Sequence, residues 1–235
     1  MTMTPDTIVL WQAGPWVVNA TIAFTWAVMA LMLVLSWLVT RKLTASTDLS
    51  RGQNLLEALV TAMRDQIREI TQDDAWPYLP FVGTLFLFIA VSNVLAIVPG
   101  FQAPTGSLST TSALALCVFI AVPYFGTREQ GAGGYFRHYV EPTPLMLPFN
   151  LIGEVSRTLA LAVRLFGNIM SGSMIVAILL ALAPLFFPVI MNALGLLTGL
   201  VQAYIFAVLA MVYIASATRR RRERKHAENG AQGEA

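Results

Sequence analysis

Charge is scarce in this chain. Only 12% of its 235 residues are Asp, Glu, Lys or Arg, about half the usual share of roughly 25% in soluble domains. So few charges cannot clothe a water-facing surface. The single cysteine, Cys117, excludes an internal disulfide; it lies in an apolar run and reads as a small buried hydrophobe. No GxxxxGK[ST] phosphate loop occurs, so nucleotide chemistry and a cofactor are not expected of this chain. The start of the chain has neither a basic n-region nor an obvious cleavage site. Its first apolar segment is too long for a signal peptide, so it is expected to be a retained helix. The two halves show no inverted repeat, a common feature of secondary transporters.

What the chain has is hydrocarbon. Hydrophobic residues make up 56% of it, and several apolar runs are long enough to cross about 30 Å of bilayer. The expected fold is an all-α integral membrane protein with about five transmembrane helices and one interfacial helix. The spans are expected at about 16–40, 78–98, 108–125, 148–182 and 189–217. The third is short, with its most apolar part starting at Ser112. Residues 1–217 would form one polytopic membrane domain, and 218–235 a disordered tail.

Basic residues set the expected topology. Arg41 and Lys42 follow the first span. Arg128, Arg137 and His138 fall in a loop expected at 126–141. Arg219 to Arg222, Arg224, Lys225 and His226 crowd the tail. Positive loops stay in the cytoplasm, which puts the N-terminus outside and the C-terminus inside a bacterial plasma membrane. A basic tail can also bind nucleic acid, but directly after an apolar helix it reads as a cytoplasmic anchor, and no nucleic-acid partner is expected.

Residues 51–72 differ from the spans. Leu56, Leu59, Val60, Met63, Ile67 and Ile70 share one face of a helical wheel, with Glu57, Arg64, Asp65 and Arg68 elsewhere. This is an amphipathic helix, expected flat on the cytoplasmic membrane face or against a partner, or packed on its own protein. Pro184 and Pro188 mark a turn between two long C-terminal helices. The first, 148–182, would be about 50 Å long at 1.5 Å per residue. It must lean strongly, kink near Gly167 or Gly172, or run along the interface.

One charge stands out in that helix. Arg164 lies well inside the apolar segment, and a guanidinium stays ionised at any physiological pH. Holding it at mid-membrane costs roughly 3 kcal/mol on insertion scales. Glu154 is the only carboxylate near the hydrophobic zone, nearly three turns away, and can pair with Arg157 instead. Arg164 is thus expected to meet an acid on another subunit, or to face a watery cleft. A snorkelling structural arginine is the alternative. Arg157, Leu161, Arg164, Asn168 and Ser171 share a helical face, as do Asn192, Gly195, Gly199 and Gln202 on the last helix. Gly195 and Gly199 would admit a neighbouring helix. Gln202 would reach Arg164 or a polar path. Asn192 and Gln202 can equally be interhelical glue.

Four blocks carry a resemblance. AVRLFGNIMSG at 162–172 resembles the signature of subunit a of F-type ATP synthases, the stator beside the rotating c-ring. VQAYIFAVLAMVYIASA at 201–217 is similar to that family's last helix. NVLAIVPGFQAPTGSLSTTSALAL at 93–116 and RGQNLLEAL at 51–59 resemble two earlier segments, in order. The resemblance implies that Arg164 faces the c-ring carboxylates, with aqueous half-channels reaching it from opposite sides. A fixed cation there blocks direct leakage and lowers the pKa of each passing carboxylate, so that its ion is released. It further implies partners in the c-ring, the subunit b stalk and membrane lipids, and no catalytic site in this chain. Asn168 and Gln202 match channel or arginine-supporting residues.

The chain also departs from that pattern. Ser173 and Gly195 occupy positions where many relatives carry an acid or histidine. Ala160 replaces a serine. Asn150 replaces an acid, with Glu154 one turn later as a relocated equivalent. These changes resemble a divergent bacterial branch. Protons are the expected ion, on family frequency. A path of water, hydroxyls and amides would also suit sodium. Two other classes compete. A stand-alone secondary transporter predicts an acid of its own at mid-membrane. A scaffold predicts that ion flux survives loss of Arg164.

Overall fold

The structure is a computed structural model and describes residues 9–13, 16–41, 51–72, 74–98, 100–131, 146–182 and 187–218. The basic tail from 219, the basic loop beyond Gly131, Lys42 and Pro184 lie outside the described residues. A two-stranded antiparallel hairpin comes first, β1 (Val9–Ala13) and β2 (Trp16–Asn19). Six α-helices follow among the described residues: α1 (Ala20–Thr40), α2 (Arg51–Thr71), α3 (Leu79–Leu95), α4 (Leu108–Gln130), α5 (Met146–Leu182) and α6 (Phe187–Thr218). A short 3-10 turn, Pro104–Gly106, precedes α4.

α1, α4, α5 and α6 are long and apolar enough to cross a bilayer. α3, at 17 residues, sits at the lower limit of about 17–25 for a span. Two boundaries differ from expectation. The first span begins at Ala20, because Trp16–Asn19 pairs with β1 instead of joining the helix. The third does not stop at Phe125. Gly126 is buried and kept helical, and the helix ends at Gly131, whose φ of +78° no longer suits it. Gly126 to Gln130, expected as loop, are therefore helix.

The core is a stack of α3, α4, α5 and α6. Ile89 of α3, Ala115 and Val118 of α4, Leu161 and Leu165 of α5, and Phe206 and Ala210 of α6 form one buried cluster. A second joins α2, α3, α4 and α6 through Ile67, Tyr78, Phe125, Met211 and Ile214, with the Tyr78 and Phe125 rings 5.1 Å apart. The amphipathic helix is thus packed on its own protein at its C-terminal end. There Ile67 is buried and the Tyr204 hydroxyl donates to Gln66 Oε1 at 2.8 Å. Leu56 and Val60, nearer its start, remain exposed. α1 packs more lightly, by Val28 and an edge-on contact of Phe24 with Phe101.

α5 runs unbroken through Gly167 and Gly172. At 37 residues it is about 55 Å long at 1.5 Å per residue. α3 meets α6 closely at Gly199, and the Pro104–Gly106 turn meets α5 near Ile169. The end of α5 and the start of α6 therefore project past the α3–α4 layer. Ile175, Ile178, Val189 and Ile190 are exposed there. Such a tip calls for cover by lipid or by another chain, and α5 is longer than an upright span of the bilayer.

Candidate functional site

Two openings flank the middle of α5 and α6. The larger, about 460 Å³, forms where the end of α3 and the 101–106 segment meet the projecting helices. Its polar lining is Asn93, Gln102, Asn168, Ser173, Asn192 and Thr198, and none of the described lining residues is acidic, basic or histidine. Ser173 donates back to Met170 O at 2.9 Å, and Thr198 to Leu194 O at 3.0 Å. Both hydroxyl protons are thereby occupied, so the oxygens that face the opening act as acceptors. Gly195 lines it too, with nothing within 4 Å of an added Cβ.

The smaller opening, about 350 Å³, is a groove among α4, α5 and α6. Asn150, Glu154, Arg157, Thr158, Tyr213 and Ser216 supply its polar lining. Arg157 is held with its guanidinium carbon 5.8 Å from the Tyr213 ring centre, where a cation meets the negative face of the ring.

Between the openings the helices close. On α5 the groove ends at Thr158 and the larger cavity begins at Asn168, an interval of about 15 Å along the axis. Leu161, Ala162 and Leu165 fill it from α5, against Ala203, Phe206 and Ala210 of α6; none is more than 3% exposed. Arg164 belongs to this level but points the other way. It is exposed on the outer side of α5 and lines neither opening. No hydrogen bond or ion pair joins it to any described residue.

The surface beside Arg164 is unusually smooth. Gly153, Ser156, Ala160, Gly167 and Ser171 are all at least partly exposed and fall within about 60° of the wheel at 100° per residue. Together they make a strip of small side chains with the arginine at its edge.

The structure gathers Asn168, Ser173, Asn192 and Gly195 around one opening and Glu154 with Arg157 around the other. It does not bring Gln202 to Arg164. Gln202 is 7% exposed, and its Nε2 has no partner. The two glycines also part company. Sequence spacing suggests that both admit a helix, but only Gly199 does so. Asn93 Nδ2 donates to Gly199 O at 2.7 Å, and a Cβ at 199 would lie 2.9 Å from Asn93 Cγ. Asn93 is absent from the sequence-predicted site. Its signal is an amide in the apolar run that ends α3, 3% exposed and with Oδ1 unpartnered. Gln102 Oε1 is likewise buried without a partner.

A family model described as ATP synthase A chain matches residues 22–215. The chain belongs to the ATP synthase A chain family. The matched stretch contains Asn93, Glu154, Arg164, Gln202, the whole lining of the larger opening, and that of the smaller one except Ser216 and Ala217. Among named relatives in this family, the chain is 63% identical to ATP synthase subunit a 2 of Acaryochloris marina over 218 residues, 93% of each chain. It is 60% identical to ATP synthase subunit a of Albidiferax ferrireducens, over 94% of this chain and 96% of that one. With ATP synthase subunit a 1 of Chlorobaculum parvum the identity is 59%, over 94% and 98%. Membership in the ATP synthase A chain family agrees with the four sequence blocks and with the all-helical membrane fold.

Proposed function

We propose that this chain is the ion-translocating stator subunit in the membrane sector of a rotary ATP synthase, with Arg164 as the charge that separates two half-channels. The observation that carries the reading is the exposed, unpartnered Arg164 at a closed level between two openings. An ion entering one opening cannot reach the other through the packed interior. It must leave the chain, travel on a neighbour, and return. The strip of small residues lets a neighbouring helix approach closely, and a c-ring helix bearing a carboxylate is the occupant proposed. At about 4 Å, a cation and a carboxylate attract by about 4 kcal/mol at an effective dielectric of 20. An opposite charge at such range lowers a carboxylate pKa by roughly 1–3 units. Each ring carboxylate would therefore give up its ion on meeting Arg164 and rebind one beyond it. Glu154, with Arg157 and Asn150, would serve one half-channel; Asn168, Ser173 and Asn192 the other; Gln202 would lie between.

ATP chemistry belongs to partner subunits in this reading. The chain would be a single membrane domain in a bacterial plasma membrane, N-terminus outside and C-terminus inside, with lipids and subunit b as further neighbours. Protons are the ion proposed. Sodium is the second reading, favoured by the neutral oxygen lining of the larger opening. In vesicles holding the whole complex, Arg164→Ala should abolish ATP-driven ion uptake while the subunit remains assembled; normal coupled uptake would refute the role. Sodium-22 accumulation that persists with a protonophore would replace protons by sodium.

A further inference from the structure

The closed level between the two openings is made of side chains that water does not favour. Leu161, Ala162 and Leu165 face Ala203, Phe206 and Ala210 in one continuous buried cluster that extends to Ile89 of α3 and Ala115 of α4. Phe206 is the largest fully buried side chain among the described residues, at 0% exposure. The polar groups nearest this layer are at its margins. Ser92 is occupied by Phe88 O at 2.7 Å, Asn93 donates to Gly199 O, and Gln202 lies one turn before Phe206 on α6. An apolar space of this kind stays dry, because water enters only where it finds two or more polar partners. A dry layer about 15 Å deep resists an ion regardless of the charge of Arg164, which faces the outer surface.

We propose that the layer centred on Phe206 and Leu165 is the seal against leakage through the body of the chain, a task separate from that of Arg164. Arg164 governs ions at the outer surface; the Phe206 layer closes the interior route from one opening to the other. The proposal rests on the stator reading. Gln202 is the weak point of the seal, since its unpartnered Nε2, one turn from Phe206, could anchor water once room is made beside it. Placing a hydroxyl and a void at Phe206 would thus connect the openings by way of Gln202.

The test uses the whole complex in vesicles with the ring carboxylates capped by a hydrophobic carbodiimide. A potassium diffusion potential drives passive flux, read as protons with an internal pH dye and as sodium-22. In the unmodified complex, capping should stop the flux; flux that continues would count against the stator reading itself. With Phe206→Ser, a flux should remain after capping, at least tenfold above the capped unmodified complex. Leu165→Ser, on the facing helix, should behave likewise. Phe206→Met, which keeps the site filled and apolar, should stay tight. The seal proposal fails if assembled Phe206→Ser and Leu165→Ser complexes are as tight as the unmodified one after capping. It fails equally if Phe206→Met leaks as much as Phe206→Ser. Combining Phe206→Ser with Gln202→Leu should restore tightness, and an undiminished leak would remove Gln202 from the path.

Discussion

Adding one methyl group at two glycines of the same helix should have opposite effects. At Gly199 an added Cβ would stand 2.9 Å from Asn93 Cγ and 3.1 Å from Asn93 Cβ. These are atoms near the backbone of α3, not the free end of a long chain, so the helices must part. Overpacking of this kind costs typically 1–3 kcal/mol. Separation also stretches the 2.7 Å bond from Asn93 to Gly199 O, worth about 1 kcal/mol net. The better helix propensity of alanine returns at most about 1 kcal/mol. Gly199→Ala should therefore destabilise by about 1–3 kcal/mol. For a chain of this size that lowers Tm by about 2–12 °C, at 2–4 °C per kcal/mol. Gly195→Ala meets nothing within 4 Å and keeps only the propensity gain, so its Tm should hold or rise by about 2–4 °C. Thermal unfolding in detergent, followed by near-ultraviolet circular dichroism, reads both. Asn93→Ala removes the two nearest atoms, Cγ and Nδ2, and leaves Cβ at 3.1 Å, so combined with Gly199→Ala it should show a coupling of about 0.5 kcal/mol or more. If Gly199→Ala is as stable as Gly195→Ala, or the cycle shows no coupling, the close α3–α6 contact does not exist as described.

Further outcomes separate stability from transport. Gln202→Leu deletes a buried amide whose Nε2 is unpartnered, so Tm should rise while ATP-driven uptake falls; a lower Tm would mean the amide has a partner. Ile67→Ala, in the buried part of α2, should cost about 2–5 kcal/mol, whereas Leu56→Ala, 37% exposed, should cost under about 1 kcal/mol; equal losses would reject the one-ended docking of α2. Cys117, expected to be buried, is instead exposed on α4 beside Leu116 and Ile120; facing lipid, its thiol stays un-ionised, so a charged maleimide should label it only after unfolding, and rapid labelling in intact membranes would place that face in water.

Much of the fold could be read from the sequence, because hydrocarbon leaves few alternatives. Apolar runs of span length had to be helices, and length alone showed that α5 exceeds an upright span. The amphipathic pattern located α2 but could not choose its neighbour, since the same apolar face suits lipid, a partner or the α3–α6 surface it meets. The end of α4 was misjudged because Gly126 reads as a turn; burial against other helices overrode that local preference. The hairpin at Val9–Asn19 was missed because valine and tryptophan suit a strand and a span equally well.

The site was legible where it carried charge. Arg164, Glu154 and Arg157 stand out against an apolar background, and the shared groove of Glu154 and Arg157, with Arg164 apart from it, matches their spacing. Asn93 did not stand out, because its meaning lies in Gly199, a residue 106 positions away. The opposite fates of Gly195 and Gly199 were also hidden, since spacing shows that two glycines share a face and not what lies opposite each.

The run of Gly153, Ser156, Ala160, Gly167 and Ser171 next to Arg164 has a mechanical consequence. Surfaces that interlock hold their register, because each large side chain that must leave its socket re-exposes area worth about 1.5–3 kcal/mol. Steps of that height would act as detents, several times the thermal energy of about 0.59 kcal/mol. A flat track presents only shallow ripples to a neighbour sliding across it. On the stator reading proposed above, Brownian motion alone would carry that neighbour past, and the electrical contact at the edge of the track would be the main thing that tells one resting angle from the next.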